Sequence, residues 1–118
     1  MFRLSIITIN YNNLEGLKKT VTSVLAQTST EFEYVIIDGG STDGSREFIE
    51  KTVDNHTTVN IKWVSEKDKG IYNAMNKGIK MAQGKYLQFV NSGDILVDNF
   101  VVEKMLSEVL DNDQIVYG

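Results

Sequence analysis

The 118-residue sequence has no cysteine, no proline, one histidine and one tryptophan. Without cysteine there is no thiolate metal site, no thiol nucleophile and no disulfide; this suits a reducing compartment, so the cytoplasm is the expected location. The lack of proline goes with the lack of any linker-like or low-complexity run, and residues 1–118 read as one domain. Positive charge is short as well: 12 Lys and Arg stand against 16 Asp and Glu, giving a net charge of −4. Such a chain has no general attraction for a phosphate polymer, which argues against a nucleic acid partner. No apolar run approaches the roughly 20 residues that span a bilayer, and Met1-Phe2-Arg3 leads straight into a strand pattern instead of a signal peptide. Membrane association is therefore expected to be peripheral, at the inner face, and to run through regions outside these residues. The single histidine, His56, lies in the polar stretch Asp54 to Thr58 and reads as surface.

What is present is a regular alternation of strand and helix patterns. Leu4 to Ile9 is short, apolar and β-branched, and Asn10-Tyr11-Asn12-Asn13 follows with turn and cap residues. Leu14, Leu17, Val21, Val24 and Leu25 then recur at helical spacing, with Glu15 in the first turn where the helix dipole favours it. A second strand, Glu33 to Ile37, precedes caps at Ser41, Thr42 and Asp43 and a helix burying Phe48, Ile49 and Val53. Val59, Ile61 and Trp63 alternate with polar residues, as in a strand near a sheet edge, which makes Trp63 a packing residue. Ile71, Ala74, Met75, Gly78, Ile79 and Ala82 predict a third helix ended by Gly84. Tyr86 to Val90 gives a fourth strand, Val102, Met105, Leu106 and Val109 a fourth helix, and Gln114 to Tyr117 the opening of a fifth strand. Met75, Met81 and Met105 fill space on helices. This order requires right-handed crossovers, so the fold class is α/β, a Rossmann-like, mainly parallel sheet with helices on both faces.

In such a sheet the loops after the strand carboxyl ends converge on one crevice. Here those loops carry Thr8 to Asn12, Asp38 to Asp43, Glu66 to Gly70 and Asn91 to Asp94. The first loop has no Gly-x-Gly-x-x-Gly and no phosphate-cradling Gly-x-x-x-x-Gly-Lys-Ser/Thr occurs, which weighs against dehydrogenase and NTPase chemistry. Asparagines replace the acidic cluster that a phospho-acceptor domain of this topology needs. The remaining combination suits a nucleoside diphosphate: an aspartate able to accept from a base N–H, a second carboxylate for a hard cation, and nearby helix N-termini. Asp94 is the metal candidate, because Mg²⁺ and Mn²⁺ often take one or two protein carboxylates and complete their shell with phosphate and water. Tyr72 and Asn76, on the helix that starts at the crevice, could face a ligand or simply pack.

Four segments in order, Ser5 to Asn12, Asp38 to Gly44, Asp68 to Gly78 and Phe89 to Asp94, resemble the family 2 glycosyltransferases of the GT-A fold, particularly bacterial polysaccharide and cell-surface glycan enzymes. The resemblance covers nearly the whole chain and implies transfer of a sugar from a nucleotide-diphosphate donor, with uridine expected, to a hydroxyl of a glycan or lipid-linked acceptor. It implies that Asp38 recognises the base and that Thr8, Asn10, Tyr11 and Asn12 line base and ribose. Asp68 would border the nucleotide, while Asn91 and Ser92 with the metal ligand Asp94 would hold cation and diphosphate. Asn91 and Gly93 stand where the family is often acidic, leaving Asp94 the only carboxylate of that loop. The implied mechanism is an inverting displacement, with Lys67 or Lys69 as possible assistants. The general base is expected downstream of Gly118, so these residues are expected to be the donor-binding half of a longer enzyme and inactive alone. A non-catalytic nucleotide-binding or interaction module of the same fold is the alternative.

Overall fold

The computed structural model describes residues 4–55, 58–96 and 98–111, the side chains of 108–111 excepted. Four strands and four helices alternate: β1 (Leu4–Asn10), α1 (Leu14–Leu25), β2 (Glu33–Asp38), α2 (Ser45–Asn55), β3 (Asn60–Ser65), α3 (Ile71–Met81), β4 (Tyr86–Phe89) and α4 (Val101–Asp111). The strands form one parallel sheet in the order β3-β2-β1-β4. The two inner strands carry the β-branched runs Ile6-Ile7 and Val35-Ile36-Ile37, which are buried because helices cover both faces. At the edge, β3 keeps polar Asn60 and Lys62, and Trp63 packs half-buried against the core.

Side-chain alternation divides the core into two layers. Leu4, Ile6, Tyr34 and Ile36 meet Leu17, Val21 and Val24 of α1, Ile49 of α2, and Val102, Met105 and Leu106 of α4. On the opposite face Ile7, Val35 and Ile37 meet Ala74 of α3. Small residues let α3 approach closely: a Cβ on Gly78 would stand 2.7 Å from Ile7 Cγ2. Below this layer, at the amino ends of the strands, Glu33 is fully buried. It pairs with Lys62 Nζ at 2.6 Å and accepts hydrogen bonds from Ser5 Oγ at 2.6 Å and Gln83 N at 2.7 Å. Burial pushes the Glu33 carboxyl up, but the Gln83 amide, Lys62 and Ser5 together hold it below the usual range.

Several expectations need correction. Helix α3 ends at Met81, closed by the Ala82 N–H on Gly78 O at 3.0 Å, so Gly84 is not its cap. Gly84 instead permits a close backbone approach, since a Cβ there would lie 2.7 Å from Ser5 N. Ile71 and Ile79 share the helical period of α3 but are exposed. The sheet needs only the small-residue face of that helix. Phe48 and Val53 are only partly buried. His56, the side chain of Val109 and the anticipated strand at Gln114 to Tyr117 lie outside the described residues. Among the described residues no helix is long and apolar enough to cross a membrane.

Candidate functional site

Parallel register aligns the strand ends: Asn10 of β1 stands beside Asp38 of β2, which stands beside Ser65 of β3. All three therefore project to one face, and Ser92 from the loop after β4 completes a polar row. Ser92 Oγ donates to Asn10 Oδ1 at 2.7 Å, and Asn10 Nδ2 donates to Asp38 Oδ1 at 2.8 Å. Ser65 Oγ donates to Asp38 Oδ2 at 2.8 Å, while Ser41 gives Asp38 both its hydroxyl, at 2.6 Å, and its N–H, at 2.9 Å. Asp38 is 0% exposed, and each carboxylate oxygen already accepts two hydrogen bonds. Burial alone would raise its proton affinity, but the two Ser41 bonds with those of Asn10 and Ser65 outweigh it and hold the carboxyl below the usual range.

The loops above this row are tied to one another by side chain to backbone bonds. Asn12 has φ 47°, a left-handed conformation that asparagine tolerates. There it receives no help from its own strand: its N–H donates to Ser41 Oγ at 2.7 Å and its Oδ1 accepts from Thr42 N at 2.8 Å. Asp43 serves two helix starts, accepting from Leu14 N at 2.9 Å and Ser45 N at 3.1 Å, where a negative charge complements both dipoles. Hydrogen bonding, led by the Ser45 hydroxyl, holds the Asp43 carboxyl below its usual range. Asn13 caps α1 through Gly16 N at 3.2 Å.

Between these loops opens a cleft of about 570 Å³ lined by Ile9, Asn10, Tyr11, Asn13, Gly39, Lys67, Asp68, Gly70, Ile71, Ala74, Asn91 and Ser92. Its position at the carboxyl edge of a parallel sheet is where α/β proteins bind ligands. Of the residues anticipated from sequence, the structure brings Asn10, Tyr11, Asp68, Asn91 and Ser92 to this cleft. It does not bring Thr8, Asn12, Asp38 or Asp94 to the lining. Thr8 is fully buried, donating to Val90 O at 2.6 Å and bonded to the Tyr34 hydroxyl at 2.7 Å. Asp38 lies in the layer beneath, with no lone pair left for a ligand.

Asp94 is exposed, in a loop fastened by Thr20 Oγ1, which donates to Asp94 O at 2.5 Å and accepts from Gly93 N at 3.0 Å. No group of three or more His, Cys, Asp or Glu side chains capable of caging a metal occurs among the described residues. The donor set fits a hard cation that arrives with phosphate oxygens, for which Asp94 with the Asn91 and Ser92 loop would supply the protein side.

Asn13 and Ile71, which cap and pack in the sequence pattern, also join the wall. Ser65 is a partner of Asp38 that its own motif does not mark; its place as the last residue of its strand, in rank with Asn10 and Asp38, is the signal. Lys67 reaches the cleft, and its neighbour Glu66 is held by Lys77 Nζ at 3.1 Å, which ties this loop to α3.

Residues 5–118 match the family model described as Glycosyl transferase family 2. An uncharacterized glycosyltransferase of Mycobacterium tuberculosis is 41% identical over 92 residues, covering 77% of this chain and 34% of that protein. A putative teichuronic acid biosynthesis glycosyltransferase, TuaG of Bacillus subtilis, is 34% identical over 91 residues, covering 77% and 36%. Among solved structures, S. aureus TarS 1-349 in complex with UDP superposes with a TM-score of 0.82 at 25% identity, covering 96% of this chain and 33% of that one. The chain thus spans about a third of the length of the curated relatives it matches.

Proposed function

This chain belongs to glycosyl transferase family 2, and from that membership we propose that it forms the donor-binding half of an inverting glycosyltransferase that takes its sugar from a nucleotide diphosphate, UDP foremost. The observation that carries the reading is the cleft itself: loops from all four strands meet there, and its wall combines an exposed aromatic ring, a carboxylate, amides and hydroxyls. Tyr11 is 65% exposed and lines the cleft, so its ring is available to stack on a base. Asn10 and Ser92 are held in fixed rotamers by their mutual hydrogen bond, which suits recognition of ribose hydroxyls and phosphate. TarS with UDP bound supports uridine, and TuaG supports polysaccharide or cell-surface glycan synthesis.

In the transfer, an acceptor hydroxyl oxygen bonds to the anomeric carbon as the bond to the diphosphate breaks, and a base outside the described site takes the hydroxyl proton. A Mg²⁺ or Mn²⁺ ion held by Asp94 would offset the charge that grows on the leaving diphosphate. This chain's own contribution is to bind and orient the donor; the acceptor, a glycan or lipid-linked glycan at the inner face of the membrane, is met by the rest of a longer protein. Calorimetric titration with UDP, and with GDP and CDP beside it, with and without Mn²⁺, tests the reading. Binding that Mn²⁺ strengthens, and that Asp94→Ala returns to its metal-free value, is expected. A folded chain that binds no nucleoside diphosphate under either condition would refute a donor site and leave a non-catalytic interaction module of the same fold.

A further inference from the structure

Asp38 has the right place in sequence to read a base, yet it is buried and its four acceptor positions are filled. The next residue, Gly39, faces the cleft and has no side chain with which to read anything. A Cβ built on Gly39 would meet Asp68 Oδ2 at 2.9 Å and Tyr11 Cδ1 at 3.2 Å. The volume that a side chain at 39 would claim is thus held by the carboxylate of Asp68, beside the exposed ring. The neighbouring glycine makes this possible: Gly40 has φ 84°, and its Cβ would lie 3.1 Å from Lys67 N, so the double glycine lets the loop after β3 lie directly on the loop after β2. The loop is fixed in that position by Lys77, which pairs with Glu66 at 3.1 Å. Asp68 Oδ1 accepts from Gly70 N at 3.1 Å, while Oδ2 has no hydrogen-bond partner among the described residues. One oxygen orients the carboxylate, and the other is left without a protein partner at the cleft wall.

We propose that Asp68, standing in the space left by Gly39, is the group that reads the nucleobase, and that Asp38 positions the wall from beneath without touching the ligand. The proposal rests on the donor-site reading above. A carboxylate beside a stacking ring accepts from a ring N–H and repels a ring nitrogen lone pair. It therefore selects bases that carry an imide-type ring N–H, such as N3–H of uracil, over cytosine, whose N3 is an acceptor.

The test is calorimetric titration of the chain with UDP, N3-methyl-UDP and CDP, for the parent and for Asp68→Asn, Gly39→Ala and Asp38→Asn, with Tm measured for each. The parent should prefer UDP to the other two by about tenfold, the equivalent of about 1.4 kcal/mol. Asp68→Asn should collapse that ratio towards one at unchanged Tm. Gly39→Ala, by pushing the carboxylate aside, should do the same in part. Asp38→Asn should lower Tm and weaken all three ligands by a common factor, leaving the ratio intact. If nucleotides bind but Asp68→Asn keeps the parent's ratio, or Asp38→Asn is the variant that loses it, the assignment to Asp68 is wrong while the donor site stands. If the folded parent binds none of the three and GDP no better, the donor-site reading itself falls and this assignment with it.

Discussion

Replacing Asp38 by alanine should cost this protein a large part of its stability, although the residue sits at the loop-bearing carboxyl end of the sheet. The carboxylate accepts four hydrogen bonds, from Asn10 Nδ2, Ser65 Oγ, and the hydroxyl and N–H of Ser41. The two hydroxyls can rotate towards other acceptors once the carboxylate is gone. The Ser41 N–H is fixed by the backbone and cannot follow, and the Asn10 amide, only 2% exposed and held by Ser92 on its other side, keeps only a long contact of 3.5 Å to Ser41 Oγ. One stranded donor and one poorly paired one, at about 1–3 kcal/mol for each donor fully lost, predict a loss of roughly 1–6 kcal/mol, against the 5–15 kcal/mol typical of a whole domain. Urea unfolding at neutral pH, followed by the fluorescence of the sole tryptophan Trp63 on the strand next to Asp38, would measure it. Asp38→Asn keeps the shape and should lose less, so it gives the measurement if the alanine variant does not fold. A loss under about 1 kcal/mol for Asp38→Ala, at an unchanged denaturant slope, would refute the claim that these four bonds form together.

Acid should destabilise the fold through the same chemistry. Asp38 and Glu33 both have carboxyls held below their usual range. The unfolded chain therefore binds protons first as pH falls past about 4, and the stability these groups confer, complete above that, drains away as pH drops towards their lower folded values. Glu33→Gln should flatten that acid limb in pH-dependent urea unfolding and leave UDP binding alone, since Glu33 lies at the amino ends of the strands; an unchanged limb would show that the Gln83, Lys62 and Ser5 contacts do not hold its carboxyl down in solution. Gly78→Ala should lower stability by up to about 2 kcal/mol: overpacking against Ile7 costs about 1–3 kcal/mol, offset by a gain of about 1 kcal/mol in helix propensity. A higher Tm for that variant would mean that α3 does not seat as closely as described.

The sequence by itself determined the class of fold and the place of the site. Runs such as Val35-Ile36-Ile37 have no polar face to turn to water, so they become inner strands, and the helical spacing of Leu17, Val21 and Val24 fixes the face that covers them. Once the strands are parallel, chain direction sends Asn10, Asp38, the Asp68 loop and the Asn91 loop to one end, because every crossover must return to the same edge. Local pattern also misled where tertiary contact prevails: Ile71 fits the helical period but faces solvent, and Gly84 has the look of a helix cap but serves the backbone of Ser5. Which carboxylate faces the cleft is set by tertiary contact. Asp38 is the last residue of β2 and Asp68 lies in the loop that follows β3; what separates them is the count of donors brought to each, four to Asp38, of which two come from Ser41 in its own loop and one each from Asn10 of β1 and Ser65 of β3, and a single backbone N–H to Asp68. A hydrogen-bond acceptor is open to a ligand only when the fold has left it unfilled, and that is a property of register and loop packing between segments far apart in the chain.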